Sequence, residues 1–302
     1  MSEQRKFVIV TDSCSDLSKD WREKYNIDYI PMRTICDGVD NPASLDWEYI
    51  PYKEFYDNLR KGVRYLTSQI NEETYTTAFT KYIEGGYDIL SISCSSALSN
   101  SVKGSCMVRD KLLQKYPNAK IYCVDSLNAC FGLGLLCIVA SNMRAEGKTI
   151  EEVYNWVEKY KLTSNQVCTV DSLNYLRRAG RVSATSAIFG GILDIKPIII
   201  SDAIGQNAAV EKVKGRRASI KRIVSKFLEL YEDVPYQHII LSNADCEEEC
   251  EELRKKIVEA MPNKNVPVDV VKMGPIIGGS AGPGTLALYF FGKEVTENKP
   301  AE

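Results

Sequence analysis

The chain has 302 residues, 44% hydrophobic and 26% charged, with a net charge of −2. That length and hydrophobic fraction suit about two domains with a sizeable core. The near-neutral charge lacks the basic footprint of a nucleic-acid binder, and no run approaches ~18 apolar residues, so neither a nucleic-acid partner nor stable membrane insertion is expected. The polar Met1–Lys6 precedes a strand without an apolar signal region, and a cytoplasmic protein is expected.

Phe7–Thr11 (F-V-I-V-T) is a short apolar run ending in a polar turn, the pattern of a buried parallel strand. Asp12, Ser13 and Asp16 stand at its carboxyl end. Ser18 caps a helix over Lys19–Tyr25, a strand is expected over Tyr29–Met32, and Gly62 stops a helix over Pro51–Lys61. Leu66–Ile70 reads as a polar hinge before a helix over Glu72–Glu84. Tyr87–Ser93 is the next strand and feeds a turn crowded with hydroxyls, in which Ser91, Ser93, Ser95, Ser96 and Ser99 fall within nine positions. A helix over Ser99–Tyr116 and a strand over Ile121–Val124 follow, with Asp125 and Ser126 at the strand's carboxyl end. Leu127–Glu146 is a long apolar helix stopped by Gly147, and Thr149 with Glu152 forms the capping box of a helix reaching about Leu162.

The second half changes pattern. A strand over Val167–Val170 precedes a short helix and the turn Ala179-Gly180-Arg181. Ser183–Phe189 has helical period. Ile195–Ile200 is a strand whose Pro197 suits an edge or a strand start, and Ala208–Val213 pairs back on it as a hairpin. Helices over Arg216–Glu232 and Glu247–Met261 alternate with strands over Ile239–Ser242 and Val266–Met273. Gly278–Gly284 (G-G-S-A-G-P-G) reads as a tight turn into the strand Thr285–Phe291. These patterns give two α/β domains, residues 1–163 with a mainly parallel sheet and residues 164–297 with a mixed sheet and helices.

Ligands of parallel sheets gather at the strands' carboxyl ends, and three such ends carry hydroxyls or carboxylates: Asp12/Ser13, Ser93–Ser96 and Asp125/Ser126. Serines at a helix start serve as ordinary caps or as an anion site, and the residues alone leave both readings open. His238 is the one histidine and opens an apolar run, a structural position; with no G-x-S-x-G elbow, a Ser-His-Asp hydrolase is not expected. No G-x-x-x-x-G-K-[ST] supports phosphoryl transfer. The ten cysteines sit mostly in apolar elements and read as thiols, and the pair Cys246/Cys250 lacks partners for zinc. Asp12 or Asp125 could act as acid or base in an enzyme on a small or lipid-like anion, although aspartates are also good turn formers. Binding without turnover fits the inventory better, with many neutral donors, no base and no metal set.

T-D-S-x-x-D-L at Thr11–Leu17, T-S-Q at Thr67–Gln69, S-S-A-L-S at Ser95–Ser99, L-N-Y-L-R-R-A-G-R-V at Leu173–Val182, L-D-I-K-P at Leu193–Pro197 and G-P-G at Gly282–Gly284 run in that order along the chain. In them the chain resembles the DegV family, bacterial fatty-acid-binding proteins of the FakB type. The resemblance implies a non-enzymatic carrier holding one fatty acid, such as palmitate, stearate or oleate, between its two domains. It also implies a fatty acid kinase as partner, which makes acyl-phosphate from ATP for phospholipid synthesis. No metal or cofactor is implied. By motif, Thr67, Ser95 and Ser96 become carboxylate ligands, with Ser68 and Ser99 in the same motifs and Ser280 and Gly282 in the late glycine motif. Arg181 becomes a nearby cation or part of the kinase-docking surface, and Asp12, Ser13 and Ser126 add the remaining strand ends. Ile188, Phe189 and Leu193 are expected to line the acyl tunnel. The chain departs from the family twice. Asn100 stands in the S-G-T segment, and Ser280 replaces the histidine of G-T-H-x-G-P-G, which implies weaker or differently arranged carboxylate binding because serine carries no charge.

Overall fold

The computed structural model describes residues 6–182 and 194–300. The first half runs β1 (Phe7–Asp12), α1 (Lys19–Tyr25), β2 (Ile27–Ile30), β3 (Arg33–Cys36), β4 (Val39–Pro42), α2 (Tyr52–Arg60) and β5 (Leu66–Ser68). It continues with α3 (Glu72–Glu84), β6 (Asp88–Ser93), α4 (Ser101–Lys115), β7 (Ile121–Asp125), α5 (Cys130–Ala145) and α6 (Ile150–Tyr160). The second half runs β8 (Ser164–Thr169), α7 (Asn174–Ala179), β9 (Ile195–Ser201), β10 (Asn207–Lys214) and α8 (Arg216–Leu230). It ends with β11 (Ile239–Asn243), α9 (Glu247–Ala260), β12 (Val268–Lys272), α10 (Pro275–Ala281) and β13 (Leu286–Phe291).

The apolar runs of the first half assemble a four-stranded parallel sheet, order β2-β1-β6-β7. β1 and β6 are buried almost throughout, as strands covered on both faces must be. The second half builds a six-stranded mixed sheet, order β10-β9-β8-β13-β11-β12, in which β11 and β12 pair in parallel and the other pairs are antiparallel. Together they make the two α/β domains. Helix α5 packs against β1 and β6 of one sheet and against β8 and β13 of the other. Its sequence, F-G-L-G-L-L-C-I-V-A, is apolar on every face, and a helix of that kind has to be buried all round.

The large core around α5 draws on both sheets, and a second core belongs to the second half. Along β13, Ala287, Tyr289 and Phe291 face the large core around α5, while Leu286, Leu288 and Phe290 face a second core under α8 and α9. That alternation is the period-two signature of a strand buried on both faces.

Several expectations change. A third, antiparallel sheet, order β4-β3-β5, occupies the region between residues 33 and 68, so Leu66–Ser68 is a strand and not a hinge. The strand expected over Tyr29–Met32 lies at Ile27–Ile30. α4 begins at Ser101 and α5 at Cys130, later than expected; Leu127 has a left-handed φ of 53°, which holds it outside the helix. Gly278–Ala281 is not a turn but the end of α10, started by Pro275 at its first position. The turn itself begins at Gly282, whose φ of +84° places it in the region glycine favours. Pro197 lies in an internal strand, in register with Lys212 of β10, while β8 pairs with β9 at Cys168–Ile199 and not at the proline.

Candidate functional site

The carboxyl ends of β1, β6 and β7 converge, and the polar residues there divide into two groups. The first group holds the loops. Asp12 is fully buried and its two carboxylate oxygens accept from the backbone N–H of Cys14 at 2.9 Å and of Cys94 at 2.8 Å, tying the turn after β1 to the turn after β6. Burial pushes its carboxyl up to about 6, against the pull of those two amides. Ser13 Oγ donates to the Ala43 carbonyl and accepts from Met32 N–H. Ser126 Oγ donates to the Asn128 carbonyl and accepts from its N–H. Ser95 Oγ accepts from Ala97 N–H at 3.2 Å and sits against Gly205, where a Cβ would lie 2.1 Å from that oxygen. Asp12, Ser13, Ser95 and Ser126 are expected to bind ligand; the structure engages their side chains with backbone groups of the turns they hold, and none of them lines the cavity that the second group forms.

The second group lines a cavity of about 480 Å³. Ser96 and Ser99 reach it from the serine turn, Thr67 and Ser68 from β5, Ser280 from α10 and Arg181 from the turn after α7. Asn100, the residue before α4, makes no side-chain cap, so the first amides of that helix have no capping acceptor from it. Ser99 Oγ instead accepts from Ser101 N–H and shares a 3.0 Å contact with Ser101 Oγ. Ser96 N–H donates to Asp125 Oδ1, which also accepts from Leu127 N–H. Both carboxylates considered as acid or base, Asp12 and Asp125, are therefore engaged with backbone amides, and neither lines the cavity.

Arg181 is the one charged side chain among the described residues of the lining. Its Nε donates to the Leu98 carbonyl at 2.7 Å and Nη1 to the Ala179 carbonyl at 2.6 Å, which clips the serine turn to the turn after α7. Its own carbonyl accepts from Asn207 Nδ2, and Asn207 Oδ1 accepts from Gln166 Nε2. Gln166 and Asn207 both line the cavity and were not singled out from sequence. They come from β8 and β10, far apart in the chain, so no local spacing betrays them.

The rest of the lining is soft and apolar: Met32, Leu176, Ile199, Met273, Ile276 and Ile277. Four buried thiols, Cys14, Cys94, Cys130 and Cys168, join them. Burial alone pushes Cys168 up to about 12, and Cys130 donates to Asp16 Oδ2 at 2.9 Å. Ile276 and Ile277 were missed with α10, although Pro275 ahead of an apolar pair is a helix-start signal. Gly282 lies just outside the lining, with Tyr175 packed where its Cβ would stand. Ile188, Phe189 and Leu193, expected in the tunnel, lie outside the described residues.

Elsewhere, His238 is buried against Trp21 and bonds Asp269 through Nε2 at 2.7 Å; burial lowers its pKa. It stands apart from the cavity, in the structural position its context suggested. Among the described residues no cluster of three metal-ligating side chains is found, and no helix is long and apolar enough to cross a membrane.

The profile of the DegV family, a family of uncharacterised proteins, matches residues 6–293. A DegV domain-containing protein of Clostridium perfringens is 39% identical over 291 residues, covering 95% of this chain and 98% of its own. Among solved structures, a DegV lipid-binding protein from Thermotoga maritima superposes with a TM-score of 0.82 at 27% identity, covering 96% of this chain and 100% of that one. DegV from Bacillus subtilis, a fatty-acid-binding protein, superposes with a TM-score of 0.80 at 25% identity, again covering 96% and 100%.

Proposed function

The chain belongs to the DegV family, and we propose that it is a carrier of one long-chain fatty acid, not an enzyme. The observation that carries this reading is the composition of the cavity wall among the described residues: hydroxyls and amides around the start of α4, one cation at Arg181, and sulfur and aliphatic groups over the remainder. A volume of about 480 Å³ is that of a small-molecule pocket.

The energetics favour an amphiphile with one anionic end. At roughly 0.8 kcal/mol per buried methylene, a dozen methylenes contribute on the order of 10 kcal/mol of gross driving force. A carboxylate loses several kcal/mol on leaving water unless donors replace it. Ser96, Ser99, Thr67, Ser68 and the opening amides of α4 supply such donors, and Arg181 supplies charge. Ser280 stands where the family carries histidine, which leaves Arg181 as the cation for the head group. The hydrocarbon runs among the Met32, Met273 and Ile276 side chains, held between the domains 1–163 and 164–297.

The carboxyl group lies at the mouth, presented to a fatty acid kinase of the cytoplasm for acyl-phosphate formation and phospholipid synthesis. Purified protein, extracted with organic solvent and read by mass spectrometry, should release a long-chain fatty acid such as palmitate, stearate or oleate. Stripped protein should take up the same acids. A protein that neither releases such an acid nor takes one up would overturn the reading.

A further inference from the structure

One wall of the cavity is laid by the sheet of the second half, and a glutamine stands in it. Gln166 and Cys168 are alternate residues of β8 and share its cavity face. Gln166 is in register with Tyr289 of β13, and Cys168 with Ala287 of β13 and Ile199 of β9; all five line the cavity. Gln166 is only 6% exposed, so its amide is set in a largely apolar surface and needs partners.

The direction of its hydrogen bonds is set from outside. The Arg181 backbone carbonyl can only accept, so the Asn207 group that meets it at 2.9 Å is Nδ2. Asn207 Oδ1 is then left for Gln166, which presents its own Nε2 at 3.1 Å. Turning the Gln166 amide over would set its oxygen against Asn207 Oδ1, and turning both amides would set Asn207 Oδ1 against the Arg181 carbonyl. Gln166 Oε1 ends the relay. It has no hydrogen-bond partner among the described residues and is not sealed off by protein, so it opens on the cavity that Gln166 lines. The wall therefore holds a fixed acceptor at this point.

A bare methylene chain lying over Oε1 takes water from it and returns no donor, while a carboxylate brings only further acceptors. A hydroxyl on the chain supplies the missing donor. We propose that the cavity prefers a fatty acid hydroxylated along its chain, with the carboxylate at the serine turn and the hydroxyl donating to Gln166 Oε1. The proposal rests on the carrier reading and names the member of that ligand class the wall selects. Gln166 determines the specificity, and Asn207 positions it through the Arg181 carbonyl.

The test strips the full-length chain of lipid and titrates it with stearate and with a panel of monohydroxystearates that differ in the position of the hydroxyl. The isomer whose hydroxyl reaches Gln166 should bind about tenfold tighter than stearate, the worth of roughly one neutral hydrogen bond, and isomers hydroxylated elsewhere should bind more weakly than stearate. Gln166→Leu should reverse the order, tightening stearate and weakening the favoured isomer, whereas a merely structural role for Gln166 would shift all the acids together. The ranking in the unsubstituted chain needs no variant to fold. A chain that binds stearate at least as tightly as every isomer, or a Gln166→Leu chain that keeps the parent's ranking, would overturn this proposal and leave the carrier reading standing. A chain that binds none of the acids would overturn both.

Discussion

Asp16→Asn isolates the cost of a buried carboxyl beside the proposed lipid site. Asp16 follows the 3-10 turn Ser13–Ser15 in left-handed backbone, φ 54°, a conformation asparagine tolerates as well as aspartate. Its side chain is buried and accepts from Cys130 Sγ, so the replacement keeps the backbone and one acceptor. Burial pushes its carboxyl from 3.8 up to about 8, with the Cys130 bond pulling the other way. Between those values the folded chain keeps a proton that the unfolded chain has lost. The native state binds more protons, so this group's contribution to stability is fully present below about pH 4 and is lost as pH rises through 8. At pH 7 the unfolded state gains about 1.4 kcal/mol for each of the roughly three intervening units, about 4 kcal/mol in all. Asparagine cannot ionise and escapes that loss. Its amide brings two donors into the space of one oxygen, which takes back about 1–2 kcal/mol. The variant should therefore be about 2–3 kcal/mol more stable than the parent at pH 7 and level with it or weaker near pH 4.5. Urea unfolding at pH 4.5, 6, 7 and 8 measures this directly. A parent chain whose stability stays flat or rises from pH 5 to 8, with the variant weaker throughout, would mean that Asp16 is ionised in the fold and would refute the reasoning.

Three further outcomes are expected. Arg181→Gln removes the one charge of the described lining, and fatty-acid affinity should fall about tenfold at low salt. Because Arg181 is exposed, titration at 0.5 M salt should shrink that difference, and an unchanged Kd at low salt would count against the head-group role. Ser280→His places a titratable cation in the wall; binding should tighten as pH falls through about 6.5, where imidazole charges, and a pH-independent Kd would contradict the placement of the carboxylate near Ser280. Gly205→Ala puts a methyl group against Ser95 Oγ at a φ of +78°, which should cost about 2 kcal/mol by chemical denaturation; parent-like stability would show that the Ser95 turn is free to shift.

The elements read correctly from sequence are those whose signals are local. β1 and β6 announce themselves by apolar runs, Gly85 and Gly86 close α3, and Thr149 with Glu152 forms the expected capping box. The sheet of β3, β4 and β5 escaped because its strands are three or four residues long, half-exposed and mixed in polarity. Glycines at 278 and 279 disguised α10, where a helix survives because Tyr56 fills the space a Cβ would need.

The site divides the same way. Motif order along the chain was enough to point to the serine turn, to Thr67 and to Arg181, because each belongs to a contiguous segment. Which serine faces the cavity was not legible. Ser95 and Ser96 are adjacent, and the backbone of the turn sends the first against Gly205 and the second into the lining. Gln166 and Asn207 become neighbours only when β8 and β10 enter one sheet.

The sequence by itself determined the α/β class, the order of the main elements and the stretch of hydroxyls at a helix start, since propensity, periodicity and capping act over a few residues. Only the tertiary structure decided which of those hydroxyls hold the turns and which face the cavity. A buried hydroxyl takes whichever partner the packed backbone brings within 3 Å, and that partner is set by elements distant in the chain.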